Sequence, residues 1–484
     1  MKLILSFLTS SILILPQNTK GQYLDSGSIR LSNTLNRLIE KYKTPDAAFV
    51  VTRNDTVIFQ LDKNPQNKNI NYYIGSCSKS FTALALLQLA DARKINLDTP
   101  IKQYLPWFEL KDRNYNNQIT VRHLLNQTSG FKTINGFFDF ITTDQSIYES
   151  KLAAYIKTIE LQSPPGAAFN YCNLNYVLAG LIITHVTNET YASYLKRNIL
   201  SKIGMHNTFA SSRESESTKL IPGYQYCFNL FELPAKRPYS DFFIPQGLIS
   251  SNTTDLSAYL NCIRNNCITK KGDTLLSTSS YNLYTTPLKE GYAMGWMGNK
   301  IAFNSAFNRQ YEIPFIYHTG LNKNYNAVLA IYPDKNISIV VLSNINSMEF
   351  SKEAMNIILS GTINKPYKSG YSMEILERTA LLIVLILLTA GLFYNIYRWK
   401  KFNFRIGLTT KPAAVIRLVA GLMLSIIPLF IIPRMNNISL SSLLSWIPDF
   451  GYGLIIASGV GFISSIIRFE ATFAKNYKKE MQEF

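Results

Sequence analysis

From Phe81 to Ala90 the chain reads Phe81-Thr82-Ala83-Leu84-Ala85-Leu86-Leu87-Gln88-Leu89-Ala90, rich in Ala and Leu and free of Gly and Pro. Such a run favours helix, and with almost no polar face it reads as a helix buried inside a domain. Directly before it stand Ile74-Gly75-Ser76-Cys77-Ser78-Lys79-Ser80. Ser76 falls at the helix start, and Lys79 shares its face one turn on, so hydroxyl and amine can meet. A serine becomes a nucleophile only when something takes its proton. A lysine does that only when burial or nearby positive charge lowers its pKa. The helix N-terminus also offers amide N–H groups to an oxyanion. Alone, Ser-x-x-Lys is weak, because a second copy, Ser193-Tyr194-Leu195-Lys196, lies on what reads as an ordinary surface helix. The case for Ser76 rests on partners elsewhere.

At 484 residues the chain allows one large domain plus an addition, or two to three ordinary ones. Its 47% hydrophobic and 17% charged content excludes a disordered protein, and much of the apolar excess follows residue 376. The net charge of +18 comes without a zinc finger, RNA-binding signature or long Lys/Arg run. Attraction to anionic lipid or cell-wall polymer is the economical reading, and nucleic acid is not expected as a partner. Five cysteines rule out a fully paired set within one chain; Cys262 and Cys267 can form a local disulfide or stay as thiols. Four scattered histidines show no metal-ligand spacing, so neither metal nor cofactor is expected.

Lys2 and the apolar run Leu3–Leu15 read as a secretory signal peptide over residues 1–21. Leu31, Leu35, Leu38, Ile39 and Tyr42 recur at helical spacing; Ala47–Gln60 reads as a strand pair turning at Asn54-Asp55. Helices are predicted within Ile119–Gly130, Tyr176–Val186 and Met348–Leu359, and a hairpin joins Ala327–Tyr332 to Ile337–Leu342 through Pro333-Asp334-Lys335-Asn336. Strands at both ends with helices between imply one α/β domain, residues 22–364, whose sheet joins the two chain ends. A linker, 365–376, leads to a membrane domain, 377–468, and a tail, 469–484. Three apolar spans, about Thr379–Tyr397, Ala413–Pro433 and Ile447–Ile467, approach bilayer-crossing length. The loop Arg398–Lys411 and the tail are rich in Lys and Arg, whereas the loop Arg434–Trp446 carries only Arg434. The positive-inside rule therefore places that first loop and the C-terminus in the cytoplasm, and the α/β domain outside. This agrees with the signal peptide.

Three motifs line up in order: Ser76-Cys77-Ser78-Lys79, Tyr171-Cys172-Asn173 and His318-Thr319-Gly320. Their contexts include His123-Leu124-Leu125-Asn126-Gln127-Thr128-Ser129-Gly130 and Pro165-Gly166-Ala167-Ala168-Phe169-Asn170 ahead of Tyr171. Together they resemble the serine β-lactamase and penicillin-binding-protein superfamily, specifically its class C-like group, peptidase family S12, over roughly residues 30–360. The resemblance implies an antiparallel sheet with flanking helices beside an all-helical subdomain, and an active site between them. It implies Ser76 as the acylated nucleophile and Lys79 with Tyr171 as the proton-transfer pair, each expected to depress the other's pKa. The N–H groups of Ser76 and Leu321 would form the oxyanion hole; Asn173, His318, Thr319 and Gly320 would meet the substrate. Many relatives carry lysine where this chain has His318, and neutral imidazole gives no fixed charge for a substrate carboxylate.

A secreted domain of this kind followed by three membrane helices is also similar to the colibactin-maturing, prodrug-activating peptidases, which remove an N-acyl-D-asparagine cap. Asn322-Lys323-Asn324-Tyr325 resembles their polar loop, so Asn322 and Asn324 are candidates for contacting a D-residue. The expected activity is a serine hydrolase, anchored in a bacterial cytoplasmic membrane with its catalytic domain periplasmic or extracellular. It would cleave an amide beside a D-amino acid in a small peptide or amide substrate. Esterase, D-alanyl-D-alanine carboxypeptidase, β-lactamase and a penicillin-binding membrane receptor are the alternatives, and the oligomeric state is open.

Overall fold

The computed structural model describes residues 26–480 apart from 68–69, 139, 141, 218–219, 229, 236–239, 289–290, 299–314, 363–371, 403–410 and most of 436–447. The expected signal peptide and most of the linker lie outside the described residues.

In chain order the strands are β1 (Ala47–Arg53), β2 (Thr56–Asp62), β3 (Tyr72–Tyr73), β4 (Tyr224–Cys227), β5 (Phe231–Pro234), β6 (Ser250–Ser251), β7 (Tyr292–Ala293), β8 (Trp296–Gly298), β9 (Ile316–Leu321), β10 (Asn326–Tyr332) and β11 (Ile337–Ser343). Seven of them form one antiparallel sheet ordered β2-β1-β11-β10-β9-β8-β7. The β1–β11 pairing, Ala47 opposite Ser343, joins the chain ends as the sequence implied. Asn54 and Asp55 both take positive φ between β1 and β2, and Asn336 does so before β11. Short polar side chains tolerate this left-handed backbone, which is why these residues turn the hairpins.

Successive side chains of β1 serve opposite faces. Ala47, Phe49 and Val51 pack with the helices Ser26–Lys41 and Met348–Thr362, whereas Ala48 and Val50 face the helical side. There the helix Ser78–Asp91 is buried at almost every position, packed by the helices Asn173–Thr187, Ile244–Gly247 and Thr278–Thr285 and, through Phe81, by Thr253–Arg264. Phe81 stacks on Tyr259 with centroids 3.8 Å apart. The decoy pair behaves as a surface pair: Ser193 hydrogen-bonds Glu189, and Lys196 meets Glu214. All five cysteines are free thiols, so the Cys262–Cys267 disulfide does not form.

The C-terminal helices span Met373–Phe402, Lys411–Met435 and Pro448–Glu480. Two segments, Met373–Tyr397 and Asp449–Ile467, are long and apolar enough to cross a bilayer; the middle helix carries the shorter apolar stretch Val415–Ile431. Arg378 lies beside Asp449 and Leu381 beside Gly453, so the first and third helices run parallel. Gly421 faces Ser465 and Gly461 faces Ser425, so the middle helix runs antiparallel to the third. Small residues at those crossings let the backbones approach closely.

These helices grip the sheet domain through buried polar contacts. Glu374 accepts from Ser347 Oγ at 2.6 Å and from the Met348 and Glu349 amides at 3.1 Å, capping the helix Met348–Thr362. Arg378 Nε lies 3.5 Å from Asp449, and its guanidinium 4.1 Å over the Tyr226 ring. Asp449 in turn accepts the Phe228 amide at 2.8 Å.

Phe81→Ala should remove a fully buried, stacked ring and lower unfolding stability by about 3–5 kcal/mol, read from thermal unfolding in detergent. A loss below about 1 kcal/mol would contradict the central place given to this helix.

Candidate active site

Ser76 sits in a tight turn, Gly75–Cys77, that leads into the helix Ser78–Asp91. Ser76 keeps some surface, whereas Lys79 has none. Lys79 Nζ lies 2.9 Å from Ser76 Oγ, 2.8 Å from Asn173 Oδ1 and 2.5 Å from the Gln246 carbonyl oxygen. Burial penalises the ammonium and lowers the Lys79 pKa to about 7. A neutral amine has two N–H groups and one lone pair. The Asn173 and Gln246 oxygens can only accept, so they take the two N–H groups and leave the lone pair toward the Ser76 hydroxyl.

The Tyr171 ring centroid lies 5.0 Å from Lys79 Nζ, and the Tyr176 ring 5.6 Å away on the same amine. Burial raises the Tyr171 pKa well above the ordinary phenol value, with Tyr292 adding to the rise and a hydrogen bond with Ser76 opposing it. The expected mutual depression holds for neither group: the lysine is lowered by burial, not by the phenol, and the phenol is raised. A desolvated phenol keeps its proton just as a desolvated amine sheds one.

Gln127 positions the Tyr171 segment. Its Oε1 accepts the Cys172 amide at 2.9 Å and Asn175 Nδ2 at 2.6 Å, while its carbonyl accepts the Asn170 amide at 2.8 Å. Gly136 packs so closely that a Cβ there would meet the Asn173 nitrogen at 2.6 Å. Cys77 and Cys172 are fully buried and burial raises both thiol pKa values, so they serve as packing.

The third motif lies on β9. Strand β8 pairs only with Ile316 and Tyr317, so among the described residues the β9 edge is open from His318 onward. This open stretch lies against the Ser76 turn. A Cβ on Gly320 would sit 1.9 Å from the Ile74 carbonyl oxygen, and one on Gly75, at φ +55°, would sit 2.6 Å from the Leu321 nitrogen. Cys77 Sγ donates to the His318 carbonyl at 3.2 Å. The backbone nitrogen of Leu321 is thus brought beside the turn that carries Ser76.

His318 is fully buried, and burial together with nearby Lys79 pushes its pKa down to about 3. Its Nδ1 lies 2.7 Å from the Thr319 carbonyl, which can only accept, so Nδ1 carries the hydrogen. Nε2 is left to accept from Tyr292 Oη at 3.4 Å. Thr319, Asn322 and Asn324 are also buried. Asn322 Nδ2 donates to the Gly247 carbonyl at 3.2 Å, steadying the turn that presents Gln246, and Asn324 Nδ2 donates to the Ala235 carbonyl at 2.6 Å. Gln246 has no side-chain signature in the sequence, because its contribution is a backbone carbonyl. Gln127 lies in the segment His123–Gly130, but its three acceptor contacts depend on the fold.

The chain matches the family described as Beta-lactamase over residues 31–361. It belongs to the β-lactamase family. This β-lactamase-family chain is 26% identical over 434 residues to "Protein flp" of Staphylococcus aureus (strain COL), covering 85% of this chain and 84% of that protein. It is 23% identical over 304 residues to "Penicillin-binding protein 4*" of Bacillus subtilis (strain 168), covering 58% of this chain and 62% of the relative. Among solved structures, a class C β-lactamase superposes with TM-score 0.57 at 19% identity, covering 73% of this chain and all (100%) of that one. A D-stereospecific amidohydrolase from Streptomyces sp. superposes with TM-score 0.55 at 21% identity, covering 69% and 99%. The fold is that of the serine β-lactamases and penicillin-binding proteins.

Gly320→Ala should push β9 off the Ser76 turn and lower kcat/KM by about 10²-fold while the protein still folds. Gly361→Ala, whose new Cβ meets only ordinary contacts with Leu31, should leave activity unchanged. Equal activity in the two variants would show that the close approach does not matter.

Proposed function

We propose that this protein is a membrane-anchored, extracytoplasmic serine hydrolase that cleaves an amide beside a D-amino acid through an acyl-enzyme on Ser76. The observation carrying this reading is the Lys79 amine, desolvated and held by two acceptors with its lone pair toward Ser76 Oγ. In acylation Lys79 takes the Ser76 proton as Oγ bonds to the substrate carbonyl carbon. The oxyanion is received by the Ser76 and Leu321 N–H groups. The C–N bond then breaks, and the departing amine takes a proton from the Lys79 ammonium, relayed by the neutral Tyr171 phenol. Water next attacks the acyl ester, giving up its proton to Lys79, and Ser76 leaves reprotonated.

The preference for an amide flanked by a D-residue is supported by the fold shared with the amidohydrolase and by the neutrality of His318. An uncharged imidazole adds nothing to hold a free carboxylate, which disfavours terminal D-Ala and β-lactam carboxylates as the recognised group. Asn322 and Asn324 take part by shaping the cleft wall behind β9.

For the membrane, the helix directions favour three crossings. The first and third helices start together at the Arg378–Asp449 contact, so the chain must return between them, and the antiparallel middle helix is the return. Basic residues near the far ends then favour a cytoplasmic position for that side.

A screen of D- and L-amino-acid p-nitroanilides with purified protein should show D-selective release, lost by about 10³-fold or more in Ser76→Ala. No release from any anilide or ester, with stable labelling by fluorescent penicillin, would favour the receptor reading instead.

The pH dependence follows from Lys79. Below about 7 the amine is protonated and cannot accept, so kcat/KM should rise with pH and level off above that value. Tyr171, held protonated well past the ordinary phenol range, imposes no fall there. A profile flat from pH 5 to 9 would remove Lys79 as the base.

A further inference from the structure

We propose that the β4–β5 hairpin is a separate membrane contact, its tip embedded in the lipid headgroup layer beside the anchoring helices. The inference rests on the membrane-anchored reading above. Leu230, Phe231 and Leu233 cluster at and just after the hairpin turn, exposed by 56%, 49% and 49%. Large apolar side chains grouped at a tip are costly in water and favourable at a bilayer interface. Phe231 and Leu233 are two apart on one strand and so share a face, with Glu232 turned to the other.

The hairpin's place in the fold identifies the occupant. Its turn is tied to the start of an apolar span, since the Phe228 amide donates to Asp449, the first residue of Asp449–Ile467. Tyr226, on β4, lies under Arg378 of the first helix. The turn therefore sits near the starts of both spans, where hydrocarbon would give way to headgroups. Lys43 donates to the Leu230 carbonyl at 3.2 Å, placing a cation beside the tip. A lysine flanking apolar side chains suits anionic lipid, as does the net charge of +18.

The same hairpin reaches back to the catalytic cleft. Gln225 Nε2 donates to the Lys323 carbonyl at 2.8 Å, and Ala235 accepts from Asn324. The residues that follow the Leu321 amide are thus held by an element whose other end meets the bilayer.

The test labels the full-length chain with an environment-sensitive fluorophore at Phe231→Cys, in a Cys227→Ser background because the other four cysteines are buried. Leu387→Cys, on the first helix, is labelled separately as a marker of anchoring. Both proteins are reconstituted in phosphatidylcholine/phosphatidylglycerol vesicles containing nitroxide lipids. Loss of fluorescence at both positions, from headgroup-level nitroxides at 231 and from deeper ones at 387, supports the proposal. Quenching at 387 while position 231 stays bright and open to aqueous iodide overturns the hairpin contact and leaves anchoring intact. Protection of 231 from both quenchers also overturns it, assigning the patch to a protein partner such as a second copy. Failure of 387 to be quenched removes the anchoring reading and the hairpin contact together. Turnover of a soluble anilide should be unchanged in Phe231→Asp, showing that the variant folds.

Discussion

The site depends on two backbones touching. Gly75 and Gly320 carry no Cβ, so β9 lies directly on the turn that presents Ser76, closer than any alanine would permit. That contact sets the distance between the serine and the Leu321 amide, and Cys77 reinforces it by donating to the His318 carbonyl. Each residue comes from a different part of the chain, and the contact is made on the stretch of β9 that runs past β8 in a seven-stranded sheet. A geometry built on strand and helix ends, not on long loops, is held to the tolerance that the proposed acyl transfer would need.

Desolvation then sorts the titratable groups. Lys79, His318 and Tyr171 share one enclosed neighbourhood, and burial drives each to its uncharged form: the amine and imidazole down, the phenol up. The result, above about pH 7, is a site with a free amine as acceptor and a phenol as donor. It needs no acid–base partner of opposite charge, because two oxygen acceptors orient the amine instead.

Much of this was legible in the sequence. The unbroken apolar helix, the Asn-Asp and Pro-Asp-Lys-Asn turns and the order of the three motifs encode local geometry, and local geometry survives folding. Gln246 was not legible, because a carbonyl carries no residue signature. The direction of the Tyr171 shift was missed for a related reason: proximity to a lysine suggests a lowered pKa, but enclosure outweighs that neighbour, and enclosure is a property of the fold. His318, Asn322 and Asn324 read as groups facing a ligand because they are polar and near the motif. They are buried with intramolecular partners, since polar side chains behind a cleft wall satisfy its backbone as often as they meet its contents.

The Glu374 cap and the Arg378–Asp449–Phe228 chain make the junction with the C-terminal helices stiff. A globular head on a floppy tether samples a hemisphere whose radius grows with the square root of the tether's length. A head bolted at several points samples almost none of it. On the membrane-anchored reading proposed above, the mouth of the cleft would keep one bearing and one elevation over the lipid plane, and what can be cut would be decided by which bonds come up to that height.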